Sequence, residues 1–174
     1  MTLAEEVKSG IAQTVPDARV FTDIQLDSRR GEDGERANLV VLHRSGVYLI
    51  DLLDLSGMLY GSSATGQWKL NQNDGSETYI TDPVQRCLQQ EQLLSRKARG
   101  IGPYLRPVIL YGDDTWIVDC TVDPSVSFSG VSLFLSELML RSHDKEVIPA
   151  AQRDIFAKQL TMLQMLSGKR GKRS

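Results

Sequence analysis

Asp51 stands at the end of an apolar run, "GVYLIDLL", two residues before Leu53 and just ahead of Ser56-Gly57. A lone carboxylate in that position can accept backbone N–H groups in the turn that follows. Other chemically versatile side chains are sparse. His43 and His143 are the two histidines, and neither has a His or Cys at ligand spacing, which argues against zinc. His43 lies in an apolar strand and is expected to donate to a backbone carbonyl. Ser45-Gly46 lacks the Gly-x-Ser-x-Gly frame of a nucleophile elbow, so a Ser-His-Asp hydrolase is excluded. "GSSATG" lacks the Lys-Ser/Thr pair of a phosphate loop and precedes a strand, which excludes P-loop chemistry.

The bulk properties narrow the setting. With 174 residues, 41% hydrophobic and 24% charged, the chain suits one globular domain with a real core. A net charge of −2 matches neither a strongly basic nucleic-acid binder nor an acidic disordered tail. Arg29-Arg30, the group Arg96, Lys97 and Arg99, and the C-terminal "GKRGKRS" are separate basic clusters, read as solvated surface. Cys87 and Cys120 lie far apart without metal spacing. They are expected to be reduced thiols in a cytoplasmic or other reducing intracellular compartment. No apolar run approaches the ~20 residues of a membrane span.

The elements that must position Asp51 follow from periodicity. "TLAEEVKSGIAQT" places Leu3, Val7 and Ile11 on one helical face, with Thr2 and Glu5 as a capping box and Pro16 as the stop. "ARVFTDIQL" alternates as a strand. "RANLVVLHR" and "GVYLIDLL" flank a tight Arg44-Ser45-Gly46 turn and predict a hairpin. Short strands are expected around Met58 to Tyr60 and Trp68 to Leu70. Thr81 or Asp82 caps a helix that Pro83 opens and Gly100 ends. "RPVILYG" and "TWIVDC" read as two further strands. The last third is helical, with Leu133, Phe134, Leu138 and Met139 on one apolar face, and Ile155, Phe156, Leu160, Leu163 and Leu166 on another. Strands clustered between helices predict an α/β (α+β-like) three-layer sandwich with the meander as its core sheet. One domain is expected over residues 1–166, with its helical part at about 130–166 and a basic, frayed tail at 167–174.

From about Glu5 to about Val118 the order of motifs resembles the nuclease-related domain (NERD), a branch of the PD-(D/E)XK nuclease superfamily. In that family an acid-bearing strand turns through x-x-Gly into an apolar strand ending Glu-x-Lys. Glycine turns, a Trp and a helix opening Asn-Pro-x-x-Gln follow. The corresponding stretches here are "ANLVVLHRSGVYLIDLLDLSGMLYG", "GQWKL" and "DPVQRCLQQ". Gly46, Asp51, Gly57, Gly61, Trp68, Pro83 and Gln85 carry the likeness.

The resemblance implies a restriction-endonuclease-like fold and a site in which two carboxylates hold Mg²⁺ or Mn²⁺ while a lysine serves the attacking water. In this chain the first acid falls on Asn38, the second on Asp51, the lysine on Leu53 and the glutamine on Gln85. Glu5 or Glu6 corresponds to the acid that many members carry on the first helix. Asn for Asp removes a charge that a divalent ion needs, and Leu for Lys removes the cation. The expectation is therefore a remnant site with no bound cofactor, in a domain that binds DNA, RNA or a protein partner without cutting. Were the site active, Mg²⁺ or Mn²⁺ would be its ion, and Arg86, Lys69 or Lys8 the relocated cation, with Glu35 as an extra acid. Lys69 and Arg86 are also the candidate nucleic-acid contacts. The remaining alternative is an assembly subunit that associates through helices 131–142 and 150–166.

Overall fold

The computed structural model describes residues 1–27 and 36–171, so Arg29, Arg30 and Glu35 lie outside the described residues. The chain builds a three-layer α/β sandwich around a five-stranded mixed sheet, with a four-stranded sheet continuing from it. Helix α1 (Leu3–Thr14) opens the chain, and its capping box is formed: Thr2 N–H donates to Glu5 Oε2 at 2.8 Å, and Glu5 N–H to Thr2 Oγ1 at 3.2 Å. Strands β1 (Arg19–Gln25), β2 (Arg36–His43) and β3 (Gly46–Leu53) follow as an antiparallel meander, with His43 paired to Gly46 at the hairpin.

The meander does not continue as one sheet. After β3 the chain crosses into the second sheet, where β4 (Gly57–Ser62), β5 (Gln67–Asn71) and β6 (Glu77–Ile80) form a second meander. Helix α2 (Pro83–Lys97) then returns the chain to the first sheet, and β7 (Leu105–Tyr111) pairs in parallel with β3. β8 (Thr115–Thr121) repeats the crossing and pairs in parallel with β4, while β9 (Ser127–Gly130) pairs in parallel with β7. The strand orders are β1-β2-β3-β7-β9 and β6-β5-β4-β8. The two crossings are stitched together where Gly57 N–H donates to the Asp114 carbonyl at 3.0 Å and Thr115 Oγ1 donates to the Leu55 carbonyl. Gly57 has φ +135°, and a Cβ there would overlap the Asn71 carbonyl, so the crossing requires glycine.

Period-two alternation sorts the first sheet's side chains to two faces. Leu39, Val41, Tyr48 and Ile50 pack under α1 and α3 (Val131–Arg141). Val40, Leu42, Val47 and Leu49 pack under the end of α2 and under α4 (Ala150–Gly171). Helix α4 thus runs through residues 167–171, which the sequence assigns to a tail. Its buried stripe is Phe156, Leu160 and Leu163, whereas Ile155 and Leu166 are exposed. On α3, Phe134 and Leu138 are buried but Leu133 and Met139 are exposed. In both helices the i, i+4 row facing the sheet is buried, and the adjoining apolar positions turn outward. Among the described residues no helix is long and apolar enough to cross a membrane.

Candidate functional site

Strand β3 is enclosed on both faces, so its one acid arrives in the interior. Asp51 is 1% exposed. By alternation it shares the α2 face with Leu49 and Leu53, and on β2 Asn38 shares that face with Val40. The β2–β3 register pairs Leu39 with Ile50, which brings Asn38 and Asp51 side by side. Asn38 Nδ2 donates to Asp51 Oδ1 at 3.3 Å.

Helix α2 supplies the cation. Its N-cap is Asp82, whose Oδ1 accepts from Val84 N–H at 2.9 Å and Gln85 N–H at 3.3 Å. That cap fixes the helix's rotation. Val84, Cys87, Gln90 and Leu94 face inward, and Arg86 lies at the edge of that face. Arg86 donates twice to Asp51 Oδ2, from Nε at 3.2 Å and from a terminal nitrogen at 2.7 Å. Its side chain is 36% exposed, so one end of the ion pair reaches water while the other is sealed. Gln85 is exposed and points away. Counted from Pro83, the third following residue of the Pro-x-x-Gln pattern is Arg86, so the guanidinium holds the glutamine's place.

The lysine position is apolar core. Leu53 is 4% exposed and packs with Val84, Cys87, Trp68 and Ile109. Of the other cations, Lys69 lies in the second sheet, paired with Glu77 at 3.4 Å, its ammonium 5.3 Å from the Tyr60 ring centre. Lys8 is exposed on α1, which covers the opposite face of the first sheet. Glu5 is spent on its helix cap, and Glu6 is exposed.

Two neighbours were not visible as site residues. Cys87 is buried beside Asp51, and burial together with the Asp51 and Glu91 carboxylates pushes its thiol up to about 12. Asp23 holds φ +52° in β1, between the pairs Thr22–Leu39 and Ile24–Ala37, and so stands opposite Asn38. Aspartate, with its short polar side chain, tolerates this left-handed backbone better than most residues, and such kinks gather at functional sites. A lone Asp inside an alternating strand gives no warning of it.

Gly61 and Trp68, both part of the sequence pattern, turn out to be one feature. They are cross-strand partners on β4 and β5, and a Cβ at Gly61 would overlap the Trp68 ring. The glycine lets the indole, 1% exposed, lie flat under α2 beside Phe128.

The site's chemistry can be tested against the divalent ion that its pattern implies. Such an ion takes several hard oxygen donors. Here Asp51 supplies one carboxylate, Arg86 holds one of its oxygens and the Asn38 amide nitrogen lies against the other. No group of three or more His, Cys, Asp or Glu able to hold a metal occurs among the described residues. Those residues do not fit a divalent ion. What they do make is a sealed carboxylate neutralised by a guanidinium.

A mixed sheet entered by α1, a β-hairpin and a parallel crossover through α2, with an acid on the central strand facing α2, defines a nuclease-like α/β sandwich. A family model for the nuclease-related domain matches residues 3–112, more than half of the chain, and the protein belongs to that family. Comparison with curated proteins and with solved structures finds no match.

Proposed function

We infer that this nuclease-related domain no longer cuts nucleic acid and acts as a binding module. The observation that carries the reading is the Arg86–Asp51 ion pair with Asn38 on the carboxylate's other oxygen. The pair takes up the donor atoms that would hold a divalent ion. A guanidinium stays protonated at neutral pH and cannot accept a proton from water. Leu53, in the lysine position, cannot do so either.

The partner is nucleic acid or protein. Both candidate phosphate contacts, Lys69 and Arg86, already have acidic partners. The outer face of the second sheet instead exposes Met58, Tyr79 and Trp116, which are 44%, 74% and 70% exposed. An aromatic face of this kind suits a protein partner or the bases of a single strand. A second reading, a divergent Mg²⁺-dependent nuclease, draws on the contact between Arg86 and Asp51, because a cation has arrived at the acid from a helix.

The deciding experiment is cleavage of linear and single-stranded DNA and RNA with Mg²⁺ or Mn²⁺, running wild type beside Asp51→Ala. Absent cleavage, or equal traces in both, supports the binding reading. Cleavage by wild type that disappears in the variant overturns it and favours the nuclease. Titration with single-stranded DNA and RNA then separates a nucleic-acid partner from a protein one.

A further inference from the structure

The face of the first sheet opposite Asp51 carries a cavity of about 490 Å³. It exists because β9 is short. β9 pairs with β7 only from Val108 onward, which leaves Leu105 to Pro107 without a strand neighbour on that side among the described residues. α3 covers the gap. The wall is apolar, with Val108, Phe134 and Leu138, while Arg106, Arg141 and Glu137 are among the polar lining. Ser125, Ser127 and Ser129 add three hydroxyls.

The two arginines differ in a telling way. Arg106 is exposed and has no hydrogen bond or ion pair among the described residues, and its side chain lies across Gly46, where a Cβ would meet Nε at 2.7 Å. Arg141 is held from behind. It donates to Tyr48 OH at 3.0 Å, Tyr48 OH lies 2.7 Å from Ser45 Oγ, and Ser45 Oγ lies 2.6 Å from His43 Nδ1. Ser45 N–H also donates to His43 Nδ1 at 3.2 Å, so that nitrogen is an acceptor and the ring proton sits on Nε2. Nε2 is 3.3 Å from Ser142 Oγ, whose hydroxyl donates to the Leu138 carbonyl at 3.0 Å. The directions form one consistent chain from Arg141 through Tyr48, Ser45, His43 and Ser142 to a carbonyl. Tyr48, Ser45 and His43 are 2%, 5% and 1% exposed. This buried chain serves nothing at Asp51; it fixes the guanidinium that lines the cavity.

We propose that this cavity binds a small phosphate monoester, with Arg106 and Arg141 on the phosphate and Glu137 and the serines on hydroxyl or amino groups of the remainder. Two arginines and one glutamate leave the lining cationic, and a dianion gains more from that than a carboxylate does. Guanidinium forks match phosphate oxygens in pairs. The cavity's volume is in the range of small-molecule sites, ~300–1,000 Å³. The proposal stands apart from the binding reading above, because no residue of the Asp51 site lines this cavity.

Calorimetric titration of the full chain at low salt tests it, with inorganic phosphate, a pentose 5-phosphate and a nucleoside 5′-monophosphate as probes. The expected result is saturable binding of at least one ester, about tenfold weaker in Arg106→Gln through loss of one charge-assisted contact. Arg106 has no hydrogen-bond or ion-pair partner among the described residues to lose, so this variant should melt like wild type. Asp51→Asn, on the other face, should bind like wild type. Tighter binding of the pentose phosphate or of the nucleotide assigns the source of the phosphate. No binding of any probe at millimolar concentration, or equal binding in Arg106→Gln, overturns the proposal.

Discussion

Removing the guanidinium from the sealed carboxylate is the sharpest perturbation the site offers. In Arg86→Ala, Asp51, 1% exposed in the wild-type fold, loses the two guanidinium donors to Oδ2. Breaking a buried pair in this way costs ~3–5 kcal/mol, because the remaining charge is left uncompensated. The lower end applies here, since Asn38 still donates to Oδ1 and the space vacated by a side chain that is 36% exposed admits water. About 3 kcal/mol in a chain of this size lowers the melting temperature by roughly 6–12 °C. Asp51→Asn should cost less, about 1–2 kcal/mol, because the freed Arg86 can turn to solvent. The order of the two variants is therefore the test, read by thermal melting followed by circular dichroism. If Arg86→Ala melts within about a degree of wild type, or Asp51→Asn is the worse of the two, the pair is not holding α2 to β3 and the reasoning fails.

Three further outcomes follow from the same structure. Gly61→Ala forces a Cβ into the buried Trp68 ring and should cost about 1–3 kcal/mol with a shift in tryptophan fluorescence; an unchanged melt would show that the indole has room to move. Burial holds His43 below its ordinary value of 6.5, so the unfolded chain takes up a proton that the fold refuses. Stability contributed by neutral His43 is thus complete above about pH 6.5 and declines as pH falls below it. Denaturant midpoints across that range should fall more steeply for wild type than for His43→Gln, and parallel curves would remove the histidine from the account. The Cys87 thiol, pushed up to about 12, should resist a disulfide reagent at pH 8 until the chain unfolds, and rapid native labelling of Cys87 would contradict the packing under α2.

What the sequence revealed was local. The Thr2–Glu5 box, the hairpin at Arg44 to Gly46 and the Asp82-Pro83 helix start each depend on residues a few positions apart, and all three are formed. β6 and β9 escaped because "ETYI" and "SFSG" are short and partly polar, and are strands only through partners such as Leu70 and Ile109. The division of the meander into two sheets was equally silent, since nothing in "DLSG" marks a change of sheet. The structure brings Asn38 and Asp51 together with Leu53 on the same face of the sheet, whereas Gln85 is exposed and its neighbour Arg86 meets the acid. Counting three residues on from Pro83 already reaches Arg86, and because one helical position is a rotation of ~100°, a slip of one residue exchanges the side chain that meets the strand for one that faces solvent. Arg86 was in view as a relocated cation and as a candidate nucleic-acid contact. That it would close on Asp51 itself depends on packing between elements 35 residues apart.

The pairing of β3 has a consequence for how the chain folds. On one side β3 meets β2 through a tight hairpin, and on the other it meets β7, Val47 lying beside Leu105. The hairpin closes over a short loop, whereas the parallel partner arrives only after the whole second meander and α2 have been traversed. Contacts of such long sequence separation form slowly, so β3 passes through a stage as an unprotected edge. Its residues are almost wholly apolar, and an apolar open edge is a template for pairing with another chain. During that interval Asp51 has not yet been covered by α2 and is the one charged group on the strand. A carboxylate awaiting its guanidinium is then a gatekeeper against intermolecular pairing, a service that ends once Arg86 closes over it.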